Sequence, residues 1–201
     1  MRLTRRGVLL LAARTLLLLP LCLVAWYFAA GVFAWIPGRV AAPVIGAVAG
    51  AQVTMALKER ALRYTAALEM PYRPGVRPVR VAAGVEIDSA KYTYGIALFA
   101  ALALAVRGWT RPVGLAIGAA ILVVLPIVGI ASEALKQLGS VAGLAPFLAW
   151  GGGTREAIAL GYQVGTLLLP TLAPVVLWLV LFPQAWRETP SAKFAGRESV
   201  G

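Results

Sequence analysis

The sequence predicts an α-helical polytopic membrane protein of about four transmembrane helices, with a small extracytoplasmic β-meander between the first and second spans. Three observations lead there. Of 201 residues, 60% are hydrophobic and only 13% charged, with a mean hydropathy of +0.81, beyond the roughly 45–50% apolar content of a soluble domain. The apolar residues gather in blocks that approach the ~20 residues needed to cross a bilayer. Between the first two blocks the pattern changes to three successive runs of period two, the mark of half-buried strands.

The first region, 1–36, is a basic N-terminus and the first transmembrane helix. "MRLTRRGVLL" resembles the n-region of a signal peptide. The apolar run from Thr15 to Ile36 is longer than a usual h-region and ends in no small-x-small cleavage site, so it reads as an uncleaved span. Cys22, the single cysteine, lies inside it. It has no partner for an intrachain disulfide and reads as a small apolar side chain.

The second region, 37–91, is an extracytoplasmic loop with an interfacial helix and short strands. Val40 to Gly50 is rich in small residues and reads as a short helix at the membrane surface. Val53, Met55 and Leu57 then alternate with polar neighbours; so do Leu62, Tyr64, Ala66 and Leu68, and so do Val79, Val81, Ala83, Val85 and Ile87. "KER" supplies a turn between the first two runs, and "PYRPGVRP" a breaker-rich link before the third. Two alternatives stay open. The uncharged stretch Val40 to Leu57 is long enough for a fifth span, and Leu57, Ala61, Tyr64 and Leu68 also fit one face of a helix.

The third region, 92–182, is a three-helix membrane bundle. Its spans are Tyr92 to Val106, Val113 to Ile130, and Ile158 to Phe182, with the basic turn "RGWTR" between the first two. "ASEALKQLG" continues the second of these as an amphipathic extension stopped by Gly139. "APFLAW" is expected to rest on the bilayer, and "GGGT" to link to the last helix with Thr154 as N-cap. The last region, 183–201, is a polar cytoplasmic tail. A topology with both termini cytoplasmic places Arg2, Arg5, Arg6, Arg14, Arg107, Arg111, Arg187, Lys193 and Arg197 inside, nearly balanced by the basic residues outside. The dense N-terminal cluster and the short basic turn favour this orientation.

The net charge of +11 sits between apolar blocks, where it sets topology and meets anionic lipid head groups. No basic-aromatic surface or DNA-reading motif accompanies it, so nucleic acid is not expected as a partner. Histidine is absent, and no His/Cys/Asp/Glu cluster has metal-ligand spacing. Glu86 and Asp88 belong to the polar face of a strand. Glu133 and Lys136, three apart, read as an exposed helical pair. "WGGGT" lacks the lysine and the strand–helix context of a phosphate loop. No cofactor, metal, catalytic residue or small-molecule substrate is expected.

Most information lies in "GYQVGTLLLPTLAPVVLW", Gly161 to Trp178. Tyr162, Thr166, Pro170 and Pro174 recur every four residues and share one helix face. Pro170 cannot donate to the carbonyl of Thr166, nor Pro174 to that of Pro170. Carbonyls left unbonded in hydrocarbon cost several kcal/mol each, so protein must cover this face. Gln163 lies about 100° around the helix, and its amide also needs a partner. Gly161 and Gly165 form one of four Gly-x3-Gly pairs, with Gly46/Gly50, Gly114/Gly118 and Gly139/Gly143; 21 glycines make such pairs common by chance. The expected helix interface is therefore Gly161, Tyr162, Gln163, Gly165, Thr166, Pro170 and Pro174, packed either within the chain or against a second membrane protein.

"YTYGIALFAALALAVR" (Tyr92 to Arg107), "GIASEALKQLG" (Gly129 to Gly139) and "ALGYQVGTLLLPTLAPVVLW" (Ala159 to Trp178) resemble the exosortase H-associated membrane protein family. The resemblance covers much of the chain from Tyr92 onward; the N-terminal half matches in layout only. It implies a non-catalytic accessory protein of a bacterial protein-sorting system in the cytoplasmic membrane, with the exosortase, a membrane transpeptidase, as partner. It carries over no catalytic residues. The exosortase itself resembles a cysteine transpeptidase with cysteine, arginine and histidine, which a chain without histidine cannot be. The alternative function is a small oligomeric transporter or channel whose polar stripe faces water.

Overall fold

The structure, a computed structural model, describes residues 5–58, 61–70, 79–106, 112–148 and 150–183. The "PYRPGVRP" link, the "RGWTR" turn, the basic residues before Arg5 and almost all of the tail lie outside the described residues.

Helix α1 runs from Arg5 to Ala49, about 68 Å at 1.5 Å per residue, more than twice the thickness of a hydrocarbon core. The expected break after Ile36 is absent: the surface helix from Val40 is the upper part of α1, continuous through Pro20, Pro37 and Pro43. Tertiary packing holds the helix together where the prolines remove backbone bonds. Pro37 is fully buried. A Cβ on Gly38 would come within 2.7 Å of Met55 Cε and 2.8 Å of Leu62 Cδ2. The bare Gly38 backbone therefore lets α1 rest directly on the sheet, and its carbonyl accepts a 2.9 Å hydrogen bond from Tyr64 Oη. Burial pushes the Tyr64 phenol above its usual pKa, because a phenolate there would lose its hydration. Gly50, at φ +63°, ends α1, with Ala51 N donating back to Gly46 O at 3.1 Å, the left-handed glycine cap.

The three alternating runs form a meander, β1 (Gln52–Lys58), β2 (Ala61–Met70) and β3 (Val79–Asp88), antiparallel in the order β1-β2-β3. The helical alternative for Leu57 to Leu68 is thereby excluded. Leu62, Tyr64, Ala66 and Leu68 of β2, with Ala83, Val85 and Ile87 of β3, turn inward, where they meet Ala41 and Ile45 of α1. The outer face carries registered cross-strand ion pairs, Arg63–Glu86 at 3.3 Å and Arg80–Glu69 at 3.0 Å. All four side chains are more than half exposed, so each pair contributes at most about 1 kcal/mol.

Asp88 Oδ1 accepts the Ala90 N–H at 2.9 Å and turns the chain into α2 (Ala90–Thr93) and α3 (Gly95–Ala105). Next come α4 (Pro112–Val124) and α5 (Pro126–Ser140), hinged at Leu125 before Pro126. The short α6 (Ala145–Leu148) does not simply rest on a surface: Leu144 and Leu148 are buried, and Trp150 Nε1 donates to Val48 O at 3.0 Å. The last helix starts at Gly152, with Gly151 rather than Thr154 in the capping position. It runs through α7 (Gly152–Gln163), a π-helical turn (Val164–Leu168) and α8 (Leu169–Leu181).

Two cores lie one above the other. In the upper, α5 supplies Ile130, Ala134, Leu135 and Leu138 beneath the sheet and α1. In the lower, Ile96, Phe99 and Ala103 of α3 meet Leu122 of α4 and Trp178 of α8, with Leu11 of α1, Val106 and Leu181 alongside. Phe99 seats its ring where Gly118 has no side chain. Three helical runs among the described residues are long and apolar enough to cross a membrane: Gly7–Ala49, Pro112–Ser140 and Gly152–Leu181. The expected second span is shorter, a broken apolar helix over Ala90–Ala105. The architecture is thus mostly helical, with three membrane-length helices and one three-stranded sheet.

Candidate functional site at the junction of the two cores

Where the two cores meet, side chains from α2 and α5 converge on one carboxylate. Glu133 of α5 is 7% exposed. Lys91 of α2 forms an ion pair with its Oε1. Tyr92 Oη donates to its Oε2 at 2.5 Å, and Gln137 Nε2 donates to Oε1 at 3.2 Å. The same Gln137 amide donates to Glu86 O of β3 at 3.0 Å, which ties the sheet to the cluster. The expected exposed pair of Glu133 and Lys136 is therefore not formed. Lys136 stands 3.8 Å over the ring of Tyr162, while Glu133 turns inward because α2 brings a cation and a phenol to it.

Bonding protons account for the rest. Thr166 Oγ1, in the π turn, donates to Tyr162 O at 2.6 Å. It lies 3.4 Å from Tyr92 Oη. Each hydroxyl has one proton, and the shorter bonds use both, so the 3.4 Å contact is the weak link. A carboxylate in so dry a place is tolerable only when paired and hydrogen-bonded, and it has one cation and two neutral donors. This arrangement fastens elements together: the donors of Lys91, Tyr92 and Gln137 all point at a carboxylate that α5 holds in place.

The last helix seals the junction through missing side chains. A Cβ on Gly161 would run into Ser132 Oγ; one on Gly165 would run into the Gly129 backbone; one on Gly129 would strike the Tyr92 ring. One turn lower, Pro170 and Pro174 are buried against Gly95, where a Cβ would come within 2.7 Å of Pro170 O and 2.9 Å of Pro174 Cγ. That Pro170 carbonyl is the one Pro174 leaves without its helical donor, and Gly95 covers it. The π turn just before Pro170, with Leu169 N–H bonded to Val164 O, widens the helix where the proline ring would otherwise collide with the carbonyl four residues back. The Thr166 and Thr171 hydroxyls donate to nearby carbonyls, Tyr162 O and Leu167 O, both at 2.6 Å, as hydroxyls do around helix irregularities in lipid.

Of the seven residues expected at a helix interface, five lie at one seam of the chain's own helices: Gly161, Gly165, Pro170 and Pro174 by contact, and Thr166 beside Tyr92; Tyr162 adds only its backbone carbonyl, its ring lying under Lys136. Gln163 is not with them; it is exposed. Sequence reasoning missed Lys91, Tyr92, Gly95, Gly129, Glu133 and Gln137. One signal was available. Gly129, Glu133 and Gln137 are spaced by four, on the same side as Ile130, Ala134 and Leu138, so a charged residue already lay on the apolar face of α5.

The family model for the exosortase H-associated membrane protein matches residues 6–185, spanning the two cores and the junction between them. No curated protein and no solved structure gives a significant match. The chain belongs to the exosortase H-associated membrane protein family.

Proposed function

We propose that this protein is a non-catalytic accessory subunit that binds and stabilises an exosortase in the bacterial cytoplasmic membrane. Family membership carries the reading. The junction supports it, since its one buried carboxylate is committed to holding α2, α5 and β3 together. In this reading Ala90–Ala105 is the fourth crossing, packed between α1 and α8, and both termini are cytoplasmic. The strands between Gln52 and Asp88 are then extracytoplasmic. This topology is favoured by the N-terminal arginines and by the gathering of Leu11, Val106 and Leu181 at the end remote from the sheet.

Partner contact falls to the outward face of the last helix. Gln163 is exposed there beside Leu160 and Leu167, 61% and 66% exposed, and an amide among apolar side chains in a membrane gains from a partner helix. Coexpression with the exosortase followed by detergent pull-down tests the reading: the two chains should co-purify at fixed stoichiometry. A chain that purifies alone as a stable ring and conducts solute would instead be the small transporter or channel.

A further inference from the structure

Above the junction, α5, α6 and α7 enclose a cleft of about 400 Å³, within the size range of ligand sites. Its walls include Leu148, Trp150 and Ile158, and its polar groups include Lys136, Arg155 and Tyr162. The ion pairs among the described residues use Arg63, Arg80 and Lys91. Lys136 and Arg155 line the cleft, and no carboxylate among the described residues pairs with either. Glu156, beside Arg155 in sequence, is not among the lining residues.

Depth says what kind of anion belongs there. The α4–α5 and α7–α8 runs lie level at the lower end, where Gly114 faces Leu181. A hydrocarbon core of ~30 Å takes about 20 helical residues. Counted up from Pro112 it ends near Ser132, and counted up from Leu181 it ends near Gly161. These two residues touch, so the two counts agree. Lys136 then stands about 6 Å, and Arg155 about 9 Å, beyond the hydrocarbon, in the layer that holds lipid phosphates. Below them Ile158 and Ala159 of α7 line the cleft, which gives an acyl chain an apolar track. Basic pockets between membrane helices bind lipid head groups in this way.

We propose that the cleft binds one anionic phospholipid, with its phosphate between Lys136 and Arg155 and an acyl chain along α7. The site belongs to this chain alone, so the test needs no exosortase and its outcome is separate from that of partner binding. The purified full chain in detergent is offered phosphatidylglycerol or phosphatidylcholine of equal chain length, and bound lipid is read by native mass spectrometry. One phosphatidylglycerol per chain should be retained, on the order of tenfold more tightly than phosphatidylcholine, as two basic residues at a membrane surface would give. The double variant Lys136→Gln/Arg155→Gln should lose that preference, Lys136→Arg should keep it, and Arg63→Gln on the sheet should not alter it. Equal retention of the two lipids, or a folded double variant that still prefers phosphatidylglycerol, would overturn the proposal. Displacement of the lipid by millimolar inorganic phosphate would make the site one for a free anion and overturn the lipid assignment.

Discussion

Glu133→Gln removes one charge from the junction and almost no volume. The amide can still accept from Tyr92, but Lys91 loses its counter-charge. Breaking a fully buried ion pair costs about 3–5 kcal/mol. The Lys91 side chain is 33% exposed, so solvent screens part of that loss, and about 2–3 kcal/mol is the expected cost. For a chain of this size, 1 kcal/mol shifts the melting temperature by about 2–4 °C, so Tm in detergent should fall by roughly 4–12 °C. A double-mutant cycle with Lys91→Met separates the pair from the hydrogen bonds. Lys91→Met alone leaves a buried carboxylate unpaired and should also destabilise. The double variant should recover most of the loss, because replacing both members of a buried pair by uncharged groups is often neutral. Additive losses in the cycle, or a Glu133→Gln melting curve that overlays the wild type, would refute the view that this pair fastens the two cores.

The other predictions probe the seam, the interface and the topology. Gly165→Leu forces a side chain into the Gly129 backbone and should cost at least about 1–3 kcal/mol, the range for overpacking, seen as a lower Tm or loss of folded protein. Pro170→Ala restores a backbone donor, should return the π turn towards α-helical register, and should change amide exchange around Val164 to Leu168. Gln163→Leu should leave folding and membrane level unchanged while weakening exosortase binding about tenfold, equivalent to 1.4 kcal/mol; intact binding with a lowered Tm would make Gln163 internal glue. In a Cys22→Ala background, a membrane-impermeant thiol reagent should label Arg80→Cys and not Thr110→Cys, and the reverse pattern would require the inverted orientation, with the strands on the cytoplasmic side.

The sheet was legible because each strand buries one face only, so Leu62 to Leu68 and Ala83 to Ile87 carry their orientation in the period of the pattern. The length of α1 was not. Pro37 and Pro43 read locally as an end, and the contacts that keep the helix going come from Met55 and Leu62, far along the chain. The seam along Gly161, Gly165, Pro170 and Pro174 was legible as a face needing cover, since missing donors and missing side chains are properties of the residues themselves. Its neighbours were not, because Gly95 and Gly129 acquire meaning only when α3 and α5 are set against that helix. Glu133 was misread for a related reason: its ion-pair partner is 42 positions away, while the nearest cation in sequence, Lys136, stacks on Tyr162 instead.

Photo-crosslinking from the last helix tests the central claim most directly. A photoreactive residue at position 163, in cells that contain the exosortase, should give an adduct of the combined mass of the two proteins, and the same residue at buried Leu122 should give none. An adduct at twice the mass of this chain from position 163, with no exosortase adduct, would mean that the face serves self-assembly and would contradict the accessory role.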